Sequence, residues 1–159
     1  MGVSGSGKST VAAALAARFG FVLADGDSFH PESNVAKLAR GEPLTDADRE
    51  PWLRALAAWI KSQHAAGRSS VLACSALKRR YRDTLRAAAP QHVRFVYLAV
   101  PAETLHARLG RRAGHFVGPE LLESQLATLE PLEGDEPGIT VDGSATPATI
   151  VDQIARLNG

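Results

Sequence analysis

Gly2-Val3-Ser4-Gly5-Ser6-Gly7-Lys8-Ser9 opens the chain and reads G-x-x-x-x-G-K-S. No other stretch limits the fold as strongly. The glycines let successive backbone N–H groups turn inward and form a nest for phosphate oxygens. Lys8 brings a point charge to the β- and γ-phosphates of a nucleotide, and Ser9 offers a hydroxyl to Mg²⁺. Gly2 through Thr10 are therefore the expected ATP-binding residues. The alanine-rich run that follows predicts a helix from Lys8 to Phe19, stopped by Gly20, whose dipole faces the phosphates. Such a loop follows a buried strand, and only Met1 stands before Gly2. The sheet is expected to lack its first strand.

The chain has 159 residues, 45% of them hydrophobic and 22% charged, which fits one globular domain with a sizeable core. A net charge of +1 gives no global bias toward nucleic acid or an anionic membrane. One cysteine, Cys74, excludes an intrachain disulfide framework and lies in an apolar run, as a buried hydrophobe in a reducing compartment would. No apolar stretch nears the roughly 20 residues that cross a bilayer. With no apolar leader either, a cytoplasmic protein is expected.

Strand and helix signals alternate along the rest. Phe21–Ala24 reads as a buried parallel strand ending in Asp25. Pro31–Arg40 reads as a short helix. Thr45 and Asp48 cap a long amphipathic helix carrying Trp52, Leu53, Leu56, Trp59 and Ile60, ended by Gly67. Val71–Cys74 is a strand, Leu77–Ala89 a basic helix, and Val93–Val100 a central strand. Helices from Pro101 to about Arg112 and from Pro119 to Leu129 follow. Ile139–Asp142 is a last strand and Thr146–Pro147 starts a last helix. This order predicts an α/β fold, a three-layer arrangement with a parallel sheet and helices on both faces. Ligands belong at the carboxyl ends of the strands. The Asp142–Thr146 stretch is placed near adenine on position alone.

Three clusters carry chemistry. Asp25-Gly26-Asp27 sits at a strand end, where one carboxylate can join a Mg²⁺ shell and the other can orient or deprotonate an attacking hydroxyl. Lys78 and Arg82, four apart on the basic helix, share a face that can grip an anion. Arg79 and Arg80 read as solvated. Arg108, Arg111 and Arg112, with Gly114 and Gly118 as joints, form a lid that can neutralise a transferring phosphoryl group. His30 alone reads as structural, and His64, His92 and His106 as surface residues. No His/Cys/Asp spacing suits a transition metal.

Further motifs give the chain a family resemblance. Gly41-Glu42-Pro43-Leu44-Thr45-Asp46-Ala47-Asp48-Arg49-Glu50-Pro51-Trp52-Leu53 and Cys74-Ser75-Ala76-Leu77-Lys78 with Tyr81-Arg82-Asp83 are specific beyond the phosphate loop. Asp25-Gly26-Asp27 with Phe29-His30-Pro31, Asn34, Lys37 and Gly114-His115-Phe116 match as well. The sequence resembles the bacterial-type gluconate kinases, small relatives of shikimate and nucleoside-monophosphate kinases. The resemblance implies a single kinase domain with a small helical acceptor-binding insert (about 29–66) and a lid (about 108–130). It implies Mg-ATP-dependent phosphorylation of the 6-hydroxyl of D-gluconate, with a homodimer as the assembly and neither nucleic acid nor membrane as a partner. A polyol carboxylate calls for a cation, hydroxyl partners and a nearby base. Lys78 and Arg82 are thus assigned to the carboxylate, with Arg49 as a further candidate on that side. His30 is assigned to a hydroxyl and Asp27 to the reacting oxygen. Ser9 and Asp25 are assigned to the metal, and Lys8, Arg108 and Arg111 to the charge in transfer. The rivals are a kinase for another small anion, such as shikimate, and a non-catalytic nucleotide-binding protein.

Overall fold

A computed structural model describes residues 1–111 and 118–156. The phosphate loop runs into helix α1 (Lys8–Phe19), closed by Gly20 in the left-handed region. Strand β1 (Val22–Asp25) leads to a single 3₁₀ turn, Gly26–Phe29. Helix α2 (Glu32–Ala39) precedes the long helix α3 (Asp46–Ala65). Strand β2 (Ser70–Ala73), helix α4 (Arg79–Ala87) and strand β3 (Phe95–Ala99) follow. Helices α5 (Ala102–Gly110) and α6 (Pro119–Thr128), strand β4 (Gly138–Asp142) and helix α7 (Pro147–Ala155) complete the chain.

Both strand pairings are parallel. β1 pairs with β2 from Val22 opposite Ser70 to Asp25 opposite Ala73. β3 pairs with β4 from Phe95 opposite Gly138 to Ala99 opposite Asp142. The pairs form two separate two-stranded sheets. Between them Met1 supplies one rung: its amine donates to the Val96 carbonyl, and the Leu98 N–H donates to its own carbonyl at 3.0 Å. Gly2 then donates to Ser75 O, at 3.1 Å, on the β2 side.

Side chains alternate across a strand, so successive residues meet opposite layers. On β3, Phe95 joins Trp52, Leu53 and Leu56 of α3 with Tyr81 and Leu85 of α4. Leu98 joins Val11 and Leu15 of α1 with Ile150, Val151 and Ile154 of α7. A third cluster, Val3, Leu77, Leu105 and Leu122, binds the phosphate loop to α5 and α6. These are the expected three layers.

Three local expectations change. β1 is parallel but not buried: it is the outer strand of its pair, and Val22 and Leu23 are 36% and 47% exposed. The basic helix starts at Arg79, with Lys78 as its extended N-cap residue, so Lys78 and Arg82 do not share a helical face. Pro101 is an N-cap residue rather than a first-turn one.

Candidate active site

The site is assembled at the carboxyl ends of the strands. In the phosphate loop Gly5 and Gly7 take φ of 81° and 93°, values that L side chains rarely adopt and that turn the amides inward. Ser6 is 1% exposed and its Oγ has no partner among the described residues. An orphaned buried hydroxyl inside a nest suits a phosphate oxygen. Lys8 Nζ donates to Val3 O at 2.9 Å, folded over the loop it serves. The Ser4 N–H donates to Gln125 Oε1 of α6 at 2.7 Å, a contact that no motif announced.

Ser9 Oγ lies 3.4 Å from Asp25 Oδ2, which joins the loop to the end of β1. The other oxygen, Oδ1, accepts the Asp27 N–H at 3.0 Å and caps the 3₁₀ turn. A hydroxyl beside a carboxylate is the hard oxygen set that Mg²⁺ takes when phosphates and waters fill its remaining positions. Among the described residues no three His, Cys, Asp or Glu gather as a metal-holding group.

The 3₁₀ turn then carries Asp27 outward to the exposed face of the cleft. Gly26 under it is required by close approach, because a Cβ there would stand 2.8 Å from the Ala73 carbonyl. Trp52 Nε1 donates to Gly26 O at 2.7 Å and pins the turn to α3. His30 stacks on Trp52, with centroids 4.5 Å apart, and its Nδ1 lies 3.2 Å from Asn34 Nδ2. Asn34, 1% exposed, also donates to Asp48 O at 2.8 Å. Burial pushes the His30 pKa below the usual histidine value; Asp27 opposes that shift and Arg49 adds to it. The imidazole thus feels a carboxylate and a guanidinium of opposite effect, and burial disfavours its charged form.

Beyond it lies a cationic cluster around Tyr81. Lys78 Nζ is 3.2 Å from both oxygens of Asp46, and Arg80 pairs with the same carboxylate at 2.5 Å. The Tyr81 hydroxyl also donates to Asp46 and accepts from Arg49 at 3.2 Å. Arg49, Lys78 and Arg80 each lie within 6 Å of the Tyr81 ring centroid. Two of these cations, Lys78 and Arg80, pair with Asp46, while Arg49 bonds the Tyr81 hydroxyl instead. The bonds to Asp46, the one from Tyr81 first, hold its carboxyl down to about 2. Asp46 and Tyr81 were part of the recognised motifs, but nothing in their spacing assigned them to this cluster.

Arg82 is a correction. It is 1% exposed. Its Nε and Nη2 grip Glu136 at 2.5 and 2.7 Å, and its other donors reach the carbonyls of Ala76, Leu77, Glu130 and Pro131. With its donors so engaged it holds no acceptor carboxylate. Arg79 is likewise bound, to Glu133 and Asp135.

Arg108 stands beside the phosphate loop. Its Nη1 donates to Gly5 O at 3.2 Å and its Nη2 to Gly143 O at 3.0 Å. It walls a cavity of about 180 Å³ with Gly7, Thr10, Gly143, Ala145 and Pro147. Arg108 thus stands between the phosphate loop and the Asp142–Thr146 stretch. Arg111 is exposed at the C-cap of α5. Arg112, Gly114, His115 and Phe116 lie outside the described residues.

Similarity to known proteins agrees with this geometry. Residues 1–132 match the family described as an AAA domain, AAA_33. A gluconokinase of Gluconobacter oxydans is 48% identical over 98% of this chain and 87% of its own length. A sugar kinase from Janibacter sp. HTCC2649, solved unliganded, superposes with a TM-score of 0.93 at 49% identity, over 98% of this chain and 90% of that one. The crystal structure of a gluconokinase from Sinorhizobium meliloti gives 0.86 at 44% identity, over 99% and 90%. The chain belongs to the gluconokinase family of P-loop kinases.

Proposed function

We propose that this protein transfers the γ-phosphoryl group of ATP to the 6-hydroxyl of D-gluconate, giving 6-phospho-D-gluconate and ADP. One observation carries the reading. The Asp25–Asp27 turn sets one carboxylate against Ser9 of the phosphate loop and leaves the next exposed, near enough for His30 to feel its charge. Nucleotide and acceptor sides therefore meet across a single turn.

Each residue then has a physical task. The nest and Lys8 cradle the phosphates, with Lys8 exchanging its Val3 carbonyl for phosphate oxygens. Ser9 and Asp25 would hold Mg²⁺, which supplies charge neutralisation on the phosphates. Asp27 orients the 6-hydroxyl and accepts its proton as the oxygen attacks the γ-phosphorus. His30, stacked on Trp52 and bonded to Asn34, binds a hydroxyl of the polyol. Lys78 and Arg49 take the carboxylate at the far end. Arg108 walls the base pocket, and Arg111 reaches the transferring charge from the end of α5. Residues about 29–66 act as the acceptor insert and about 108–130 as the lid. The protein works in the cytoplasm as a homodimer; among the described residues no helix is long and apolar enough to cross a membrane.

An assay coupled to ADP release tests this, with Mg-ATP and D-gluconate, shikimate, other sugar acids, glucose or no acceptor. Turnover confined to gluconate is expected. Turnover with shikimate in preference, or equal ADP release without acceptor, would overturn the assignment.

A further inference from the structure

Helix α6 lays one stripe against the phosphate loop. Leu122 packs with Val3 of the loop, and Leu126 and Leu129 border the same cluster. Residues three and four apart share a helix face, so Gln125 lies in that stripe. A carboxamide in an otherwise leucine-lined contact costs free energy unless its polar atoms find partners. Its oxygen has one: Gln125 Oε1 accepts the Ser4 N–H at 2.7 Å. An N–H can bond only to the oxygen, so Nε2 and its two hydrogens take the other position. Among the described residues Nε2 has no hydrogen-bond partner. A buried side-chain polar atom without a partner occurs only at Ser6 among them, so Nε2 is open to solvent.

Two observations show which end of a triphosphate comes to this point. The cavity assigned to the base is walled by Gly5, Gly7, Thr10 and Gly143, and neither Val3, Ser4 nor Gln125 lines it. Lys8, whose charge serves the β- and γ-phosphates, rests its Nζ on Val3 O at 2.9 Å, one residue before Ser4. Gln125 is therefore held at the terminal-phosphate end of the loop. A residue that only propped the Ser4 N–H would bond it more strongly as a carboxylate. A neutral carboxamide serves better where negative charge arrives. We infer that Gln125 is a γ-phosphate-binding residue, fixed through Ser4 and donating from Nε2 to an oxygen of the terminal phosphoryl group. It takes up no proton and forms no covalent bond. Its donor stays on that oxygen while the phosphoryl group passes from ADP to the acceptor hydroxyl, where charge on those oxygens must be balanced.

This rests on the loop as an ATP site and not on which acceptor is used, so binding is measured without gluconate. Calorimetry in Mg²⁺ compares ADP with the β,γ-imido analogue of ATP, at a temperature where melts show every form folded. The forms are the unaltered chain, Gln125→Leu and Gln125→Glu. Leucine fills the stripe but has no donor; glutamate keeps an acceptor for the Ser4 N–H and adds a charge. Gln125→Leu should weaken the analogue about tenfold or more, as loss of a hydrogen bond to a charged group does, and leave ADP within about threefold. Gln125→Glu should weaken the analogue further than Gln125→Leu. Equal weakening of both nucleotides by Gln125→Leu would make Gln125 a prop for the loop and overturn the proposal. Analogue binding at unaltered strength in either variant would overturn it too. Failure of the unaltered chain to bind either nucleotide would overturn the reading of the loop, and this proposal with it.

Discussion

Arg82→Ala and Lys78→Ala separate two arginine-and-lysine roles that look alike in sequence. Removing Arg82 leaves Glu136 buried and four backbone carbonyls without their donor. Breaking a buried pair costs about 3–5 kcal/mol, or roughly 10 °C in Tm at this size. Below that transition, KM for gluconate should stay within about twofold. Lys78 is partly exposed and its pair with Asp46 contributes little to stability. Its loss should raise KM for gluconate about tenfold or more with Tm nearly unchanged. Thermal melts and steady-state kinetics on both variants decide the matter. Asp27→Asn should lower kcat at least about a hundredfold; an effect on KM alone would make Asp27 a binding residue. The phosphate loop and the turn after β1 were legible because their signals are local in sequence. Arg82 was misread because its partner, Glu136, is 54 residues away and belongs to no motif. The anchoring of Arg108 was not legible, because the carbonyls that hold it come from Gly5 and Gly143.

The first turn of α3 is the element on which the acceptor side depends. Thr45 Oγ1 accepts the Asp48 N–H at 3.1 Å, and Asp48 Oδ2 accepts the Thr45 N–H at 2.8 Å. Asp48 also pairs with Lys37 of α2 at 2.7 Å. Asp46 and Arg49 leave from this same turn. Thr45→Ala should therefore cost about 1 kcal/mol in a denaturant titration and also raise KM for gluconate, while Thr45→Ser restores both. The capping pattern and the apolar spacing made α3 readable along its length, and Gly67 ends it in the left-handed region. The start of α4 was less readable. Lys78 has an extended backbone there, and a helical reading that began at Leu77 put it on a face it does not share.

At the scale of the molecule, acid should destabilise the fold in two stages. His30 is held below its ordinary value, chiefly by burial, so the unfolded chain binds its proton more readily. Stability is then full above about 6.5, the unperturbed histidine value, and falls as pH drops below it. Asp46 and Asp48 are held to about 2 by their hydrogen bonds, so their contribution is present above the ordinary aspartate range and is lost as pH falls toward 2. Chemical denaturation between pH 3 and 8 should show the first decline, and His30→Gln should flatten it. The layers and the alternation of strands with helices followed from the changing periodicities. The exposure of β1 did not, because an apolar run gives no sign of whether a neighbour covers it. Arg82 has a consequence in living cells as well. A screen scoring growth on gluconate would rank its variants with true active-site losses, yet their defect is fewer folded molecules. Steady-state abundance, measured beside growth, should fall for Arg82 and Glu136 variants alike and stay normal for Asp27.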